Sequence, residues 1–416
     1  MTEPWSHILF SRRMLICVIS GFSSGLPLFM FVYLLPAWLR SAGLNLTSIG
    51  LTSLLMMPYA LKVLWAPWVD RWSITSLGRR RSWILCCLLG LIVAFIGLGW
   101  TPPHDLGTVS AWSLLISLLS ASQDTALDAL RREILPDNEL GLGSSLHVNA
   151  YKIAGLVPGS LALVLSDIIA WPWVFMICSL FLLPGIAMSL LMREPASSNS
   201  APHSLREAII FPFKDFLERH GEQQTLLILL LVMTYKLGDG LATTLATPFY
   251  LDMGFSRSTL GLVAKQAGLI ASVTGGLVGG FGMLRLGIVR ALWIYGILQA
   301  SSILGFWWLS LSHHGVFALA GVIAGEAFGV GLGTTALVAY MAQQTSMRYT
   351  ATQFALLTSM AALPRSLINA SSGWLVEHLG WSHFYLLCLL LSIPGLFLLL
   401  SVLHWPKVNS RGEKSS

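Results

Sequence analysis

Long apolar runs, separated by short polar segments, recur along the whole chain. A helix needs about 20 apolar residues to cross the hydrocarbon core of a bilayer, which is about 30 Å thick. By this criterion the pattern predicts twelve membrane-spanning helices, centred near residues 27, 58, 92, 120, 157, 182, 238, 270, 299, 328, 362 and 392. The chain is therefore predicted to be an all-α membrane protein.

One polar segment is much longer than the others and divides the apolar runs into two sets of six. It extends from residue 193 to 224 and begins with a stretch rich in Pro and Ser, which is typical of a linker. Its later part, "REAIIFPFKDFLERH", is amphipathic and predicts a segment on the membrane surface. The predicted domains are an N-terminal six-helix bundle (1–192), a linker (193–224), a C-terminal six-helix bundle (225–404) and a tail (405–416).

Basic residues lie mostly between the apolar runs. With the N-terminus placed inside, 18 of the 25 Lys and Arg residues lie on the cytoplasmic side and two, Arg40 and Arg257, lie outside. This asymmetry predicts that both termini are cytoplasmic. It also explains the net charge of +6, because the basic clusters are not interleaved with aromatic residues, and no nucleic-acid partner is expected.

Composition and motifs narrow the class of protein. With 55% hydrophobic and 11% charged residues and a mean hydropathy of +0.72, a soluble domain would expose too much apolar surface. The five cysteines lie in apolar runs without metal-ligand spacing, and the sequence has no Walker A, HExxH or dinucleotide-binding motif. We therefore expect no metal, no cofactor and no enzymatic activity.

Some charged residues nevertheless remain inside the predicted spans. A charge near the bilayer centre costs about 3 kcal/mol even on lenient scales, so such residues face a partner or a water-filled cavity. They are Lys62, Lys152, Lys236, Lys265, Arg365, Asp124, Asp128, Asp239 and Glu326.

The fourth span carries two carboxylates, Asp124 and Asp128, on one helical face with Gln123 beside them. Two like charges in a low-dielectric site favour holding a proton, as a proton-coupled carrier requires. We therefore predict that both are proton-coupling groups. In the alternative role they are static pairs that hold the helices in register, with Asp128 anchored by Arg131 or Arg132.

The other charged residues in the spans have more than one possible role. Lys152 on the fifth span is a candidate partner for the acidic pair, and Lys236 and Asp239 have the i, i+3 spacing of an intrahelical ion pair. Glu326 fits either a coupling site or an interhelical hydrogen bond. Arg365 fits either a ligand for a substrate carboxylate or phosphate, or a side chain that extends to the membrane surface.

Two sets of six spans joined by a linker is the plan of the major facilitator superfamily, and one loop supports this resemblance. The loop after the second span, "APWVDRWSITSLGRRR", resembles the cytoplasmic signature of that superfamily, with an insertion between Arg71 and Gly78. Such a loop can hold neighbouring helix ends in one conformation. The predicted latch residues are Asp70, Arg71, Gly78, Arg79 and Arg80. The simpler alternative is that the arginines only set the topology.

Several uncommon strings occur together and in order: "GFSSGLPL", "PYALKVLWAPWVDRW", "SASQDTALDAL", "YKLGDG", "RALWIYGILQASS" and "GWLVEHLGWSHFY". With them the chain resembles the AmpG family of inner-membrane muropeptide permeases from near residue 20 to near residue 400. The resemblance implies a secondary transporter in a Gram-negative inner membrane, and we expect it to be a monomer. It would import 1,6-anhydromuropeptides from periplasm to cytoplasm with protons, for cell-wall recycling.

Many AmpG members have two further C-terminal spans, and this chain stops after the twelfth. Its length is typical of AmpG-like importers of ferri-siderophores such as pyochelin, so this cargo is the alternative. Aromatic and amide side chains suit either cargo. The residues predicted to line the substrate path or to pair charges are Lys62, Gln123, Tyr151, Lys152, Tyr235, Lys236, Asp239, Lys265, Gln266, Glu326, Gln353 and Arg365.

Overall fold

The computed structural model describes residues 9–44, 52–193, 205–255, 265–312 and 315–403, and within these ranges it contains helices and no strand. The helices are, in chain order, α1 (Arg12–Ser41), α2 (four short pieces, Thr52–Met56, Met57–Leu61, Lys62–Leu64 and Ala66–Arg71), α3 (Arg79–Trp100), α4 (Leu106–Ile134), α5 (Leu140–Ser166), α6 (Trp171–Leu191), α7 (Leu205–Thr234, Leu237–Thr244 and Ala246–Asp252), α8 (Lys265–Leu286), α9 (Ile288–Leu311), α10 (Val316–Gln344), α11 (Thr350–Ala370) and α12 (Ser372–Leu403).

All twelve predicted span centres lie on these helices. Ten of the described helices are long and apolar enough to cross a membrane. The other two are α2, which is broken into short pieces, and α11, which contains Pro364 and Arg365. The predicted all-α membrane architecture is confirmed, whereas the side on which the termini lie stays a prediction.

Interruptions of the helices place two of the buried cations. Proline removes a backbone hydrogen bond and clashes with the preceding turn, and α2 is broken near Pro58. Single π-turns occur at Met30–Leu34 in α1 and at Val157–Leu161 in α5. Lys62 lies in a 3₁₀ turn of α2, and Lys236 lies between two pieces of α7.

The ends of α4 follow ordinary helix chemistry. Asp105 accepts a hydrogen bond from the Thr108 backbone N–H at 3.2 Å, and so caps the start of the helix. Hydrogen bonds from the side chain and backbone of Thr108 hold the pKa of the Asp105 carboxyl below its usual value. Arg131 and Arg132 lie in the last turn, where cations complement the helix dipole. Both are buried within α4, although the sequence places them beyond the span.

Contacts between residues group the chain into two compact units. Unit 1 comprises Met1–Pro136, Leu146–Pro212 and Thr345–Leu356. Unit 2 comprises Asp137–Ser145, Phe213–Gln344 and Leu357–Ser416. Each unit therefore contains most of one predicted six-helix half, and takes a short segment at the start of α5 or α11 from the other half. The predicted domain limits at residues 192 and 225 stay predictions.

The interior of each unit is centred on aromatic residues. In unit 1, Trp38 of α1 packs edge-on against Phe175 of α6, with ring centroids 5.2 Å apart. In unit 2, Tyr385 of α12 lies 4.8 Å from the ring of Phe249 and is stacked 5.2 Å from that of Phe306. These rings fix α7, α9 and α12 against one another.

In unit 1, α1 crosses α5 with backbone against backbone. A Cβ atom at Gly21 would lie 2.1 Å from the carbonyl oxygen of His147, and one at Gly25 would lie 2.3 Å from that of Tyr151. Neither position has room for a side chain. Helices in membranes associate through such close packing of small residues. The crossing therefore fixes the height of α1 relative to α5.

Replacing Gly21 with Ala is expected to destabilise the protein by about 1–3 kcal/mol, because the added methyl group must push the α5 backbone away. Thermal unfolding of the detergent-solubilised protein should show a lower melting temperature. Gly321→Ala on α10 is the control, since a Cβ atom there meets nothing within 4 Å, and its melting temperature should not fall. Equal melting temperatures for the two variants would contradict the close crossing.

Candidate functional site

The two carboxylates of α4 lie inside unit 1 but have different partners. Asp124 Oδ1 accepts a hydrogen bond of 2.6 Å from the Ser24 hydroxyl of α1. Asp128 Oδ2 lies 3.4 Å from Lys62 Nζ, and its Oδ1 lies 3.0 Å from Arg131 Nη2. One carboxyl is therefore held by a neutral hydroxyl, and the other lies between two cations.

The charged atoms around Asp128 are shielded. The side chains of Asp128, Lys62 and Arg131 are 14%, 10% and 1% exposed, so they lie within the protein and do not face lipid. The Arg131 guanidinium also lies 5.5 Å from the ring centroid of Phe354 at the start of α11. The sequence indicates Lys152 as a candidate partner of the acidic pair and Arg131 or Arg132 as an anchor for Asp128, and the ion pairs of Asp128 are made by Lys62 and Arg131. Lys152 is half-buried on α5.

Protonating Asp124 would break no direct contact between this carboxylate and a cation among the described residues. In the described part of the chain it takes part in no ion pair. A serine hydroxyl donates to a carboxylate and accepts from a carboxylic acid, so the contact with Ser24 is available to both forms of Asp124. Lysine and arginine only donate, so protonating Asp128 would leave Lys62 and Arg131 without a counter-charge.

Two further predicted path residues, Gln123 and Tyr151, lie in the same unit as the acidic pair. Gln123 is fully buried, and neither atom of its amide has a hydrogen-bond partner among the described residues. Tyr151 of α5 packs with its ring 5.5 Å from that of Phe29. These side chains offer polar atoms and an aromatic surface in the same unit as Asp124.

Sequence reasoning missed two residues of the same unit, Ser24, which contacts Asp124, and His147, which contacts Ser20. His147 Nδ1 lies 3.1 Å from the Ser20 hydroxyl, which itself donates to the Cys17 carbonyl at 3.0 Å. We therefore assign Nδ1 as the donor and Nε2 as an acceptor. A serine or a lone histidine in an apolar run carries no charge pattern that would indicate such a contact.

Unit 2 contains the predicted pair of α7. Lys236 Nζ lies 2.8 Å from Asp239 Oδ2, and it also donates to Gln299 Oε1 of α9 at 3.1 Å. The preceding residue, Tyr235, donates its hydroxyl hydrogen to the Leu292 carbonyl at 3.0 Å. Lys236, Tyr235 and Gln299 are buried, so the cation and the phenol of α7 are both directed at α9.

The remaining predicted path residues are dispersed. Gln266 of α8 is exposed, Glu326 of α10 is half-buried, and the side chain of Lys265 lies outside the described part of the structure. Arg365 of α11 is exposed. Gln353 lies in the first turn of α11, where it donates to the Pro212 carbonyl at 2.9 Å and accepts from the Ser346 N–H at 2.7 Å.

The predicted latch loop holds the start of α11 within unit 1. Asp70 accepts hydrogen bonds from the Ala351 N–H at 3.1 Å and from the Thr352 N–H and hydroxyl at 2.7 Å each. Free N–H groups at a helix start favour an anion, and Asp70 supplies one. Asp70 is fully buried, and Arg80 Nη2 lies 2.8 Å from its Oδ1.

Arg80 extends this network to α4. Its Nη2 lies 2.5 Å from Glu133 Oε1, a residue that the sequence analysis did not single out. Arg79 donates to the backbone carbonyl of Asp70, and Gly78 precedes α3 with a φ of +109°, which favours glycine. Arg71 instead lies against the ring of Trp72, 5.9 Å from its centroid.

No group of three or more metal-ligating side chains occurs within residues 9–44, 52–193, 205–255, 265–312 and 315–403. The five cysteines, all inside those ranges, are free thiols.

Comparison with known proteins agrees with this architecture. The family model "Major Facilitator Superfamily" matches residues 17–368. The human organic anion transporter MFSD10 (TETRAN) has a similar fold, with a TM-score of 0.71 and 17% identity over 93% of this chain and 99% of that chain.

Two curated relatives match almost the whole chain. An uncharacterised protein of Haemophilus influenzae is 44% identical over 99% of both chains. The anhydromuropeptide permease of Escherichia coli K12 is 37% identical over 98% of this chain and 84% of that protein. Proteins of this kind are multi-pass transporters of the inner membrane that carry a small molecule, and they are not enzymes. The chain therefore belongs to the Major Facilitator Superfamily, and within it to the AmpG family of permeases.

Proposed function

We propose that this permease imports 1,6-anhydromuropeptides from periplasm to cytoplasm by proton-coupled alternating access, for cell-wall recycling. The cargo is supported by the 37% identity to a protein named anhydromuropeptide permease over 98% of the chain. None of the relatives described above is named for a siderophore. The single observation that supports proton coupling is the contrast between Asp124, which contacts a hydroxyl, and Asp128, which contacts two cations.

In this proposal Asp124 carries the proton. The carboxylate accepts a hydrogen bond from Ser24, and the protonated acid donates one back, so both forms are stabilised by the same neighbour. Asp128 stays ionised between Lys62 and Arg131 and keeps these cations in place. Loading the proton removes one negative charge from bilayer depth, which lowers the cost of moving the site from one side to the other.

The latch loop is the proposed conformational switch. Asp70 caps α11, and Arg80 joins Asp70 to Glu133 of α4, so the loop connects α11 with the helix that carries the acidic pair. In this proposal the network is formed in one conformation of the transporter, as in this structure, and broken in the other, as a two-state switch requires. The positive-inside rule assigns this end of the protein to the cytoplasm.

Transport by the wild type tests the cargo. Inner-membrane vesicles with an imposed proton gradient are expected to accumulate radiolabelled anhydromuropeptide, and collapsing the gradient should abolish the accumulation. A ferri-siderophore is supplied to parallel vesicles. Accumulation of the siderophore without the muropeptide would contradict the proposed cargo and favour the alternative.

Asp124→Asn is expected to abolish accumulation driven by the gradient, because the amide cannot take up the proton. Exchange of labelled for unlabelled cargo needs no net proton movement and should continue in this variant. Measuring both in the same vesicles separates coupling from binding. Asp167→Asn, at an exposed position after α5, is the control with unchanged uptake. Full accumulation by Asp124→Asn would rule out the assignment of the proton to this residue.

Asp70→Asn is expected to slow transport severalfold, since an amide has one acceptor oxygen in place of the two that Asp70 uses. Arg71→Gln is the matched comparison from the same loop and should have little effect, because Arg71 contacts Trp72. Initial uptake rates and the labelling of single cysteines by a membrane-impermeant reagent would report both effects. A larger defect in Arg71→Gln than in Asp70→Asn would contradict the proposed latch.

A further inference from the structure

Within the described part of unit 2, α11 carries a cation that has no partner. Arg365 lies in the last third of α11, five residues or about 7 Å before the end of the helix at Ala370. Its side chain is exposed, and it makes no ion pair or hydrogen bond with the described residues. Because an unpaired charge within an apolar helix is costly, this arginine is a candidate functional residue.

The aliphatic stem of Arg365 packs against the α7 backbone at Gly240, and this contact is called the seat below. A Cβ atom at Gly240 would lie 2.8 Å from both Cγ and Cδ of Arg365, so the stem lies directly on the α7 backbone. A side chain that only reached for the membrane surface would not need this glycine. The seat fixes the direction of the stem and leaves the guanidinium free.

A second polar side chain lies at the same place. Asn369 is one turn further along α11, and its Oδ1 lies 3.8 Å from the same Cβ position at Gly240. This oxygen is buried and has no hydrogen-bond partner among the described residues. The amide therefore lies beside the arginine with hydrogen-bonding capacity left over.

The nearby acid does not neutralise Arg365. Asp239 precedes Gly240 in sequence, but its carboxylate is paired with Lys236 at 2.8 Å. Among Lys236, Asp239 and Arg365, one positive charge remains, and it is on the exposed guanidinium. A guanidinium presents parallel N–H groups that match the two oxygens of a carboxylate.

We propose that Arg365, with Asn369 beside it, binds a carboxylate of the transported molecule. This inference rests on the proposed function, because a muropeptide bears a peptide and therefore carries carboxylates. Arg365 is then the residue that makes the permease select an anionic cargo, and Gly240 is the positioning residue for its stem.

The test compares two cargoes, the anhydromuropeptide with free carboxylates and the same molecule with its carboxylates amidated. Wild-type vesicles should take up the free acid about tenfold or more faster, since hydrogen bonds between charged groups are worth roughly that factor or more. Arg365→Gln should lower uptake of the free acid to the level of the amide. Arg365→Lys should retain part of the preference, because the charge remains and the planar fork is lost.

Glycine variants test the seat. Gly240→Ala should reduce the preference for the free acid, because the methyl group displaces the Arg365 stem. Gly321→Ala, with open space around its Cβ position, should retain the wild-type preference. Equal preference in Gly240→Ala and Gly321→Ala would overturn the role of the seat.

Two results would overturn the carboxylate site. One is equal uptake of acid and amide by the wild type, and the other is a full preference for the acid in Arg365→Gln. If the wild type takes up neither cargo, the proposed function fails. Calorimetric binding of the acid and the amide to the purified wild type and Arg365→Gln then decides the assignment of Arg365 alone, since the difference should be present in the first protein and absent from the second.

Discussion

The cost of placing charge inside a membrane governs how this chain is built. A carboxylate or an ammonium group at bilayer depth needs a counter-charge, a hydrogen bond or water. Asp128 meets this requirement with Lys62 and Arg131, and Asp239 meets it with Lys236. Two charged groups, Asp124 and Arg365, do not take part in such ion pairs within the described chain. Among the described residues, Asp124 has a hydroxyl as its hydrogen-bond partner and makes no ion pair, and Arg365 makes neither a hydrogen bond nor an ion pair. These are the positions at which a proton and an anion are proposed to complete the charge balance.

Helix interruptions and close helix crossings bring the charged groups together. The 3₁₀ turn in α2 carries Lys62, and the break in α7 carries Lys236, so both cations lie where the backbone departs from a regular helix. Broken helices line substrate sites in many secondary transporters, because irregular backbone is tolerated where it borders protein or water. At the opposite extreme, Gly21 and Gly25 let two backbones touch. Irregular backbone therefore carries buried cations in both units, and regular helices in unit 1 provide the close backbone contact.

The sequence predicted what depends on local spacing. The i, i+3 pair of Lys236 and Asp239 and the twelve helix centres follow from helical periodicity and hydropathy, and both are present. The association of Asp70 with an arginine and a helix start followed from the loop motif. Contacts between residues that are distant in the chain could not be predicted from the sequence, because they depend on how the helices cross. Lys62 in place of Lys152, Ser24 beside Asp124, and Glu133 beside Arg80 are of this kind. Gln353 was expected along the substrate path, and the structure places its amide on two backbone groups at the first turn of α11.

The segment from Gly21 to Gly25 has two separate structural roles. Its ends provide the contacts between the α1 and α5 backbones, and Ser24 within it supplies the hydroxyl on Asp124. The whole stretch rises by only about 6 Å. In this chain a substitution that alters the packing of α1 against α5 would therefore also move the hydroxyl that contacts Asp124.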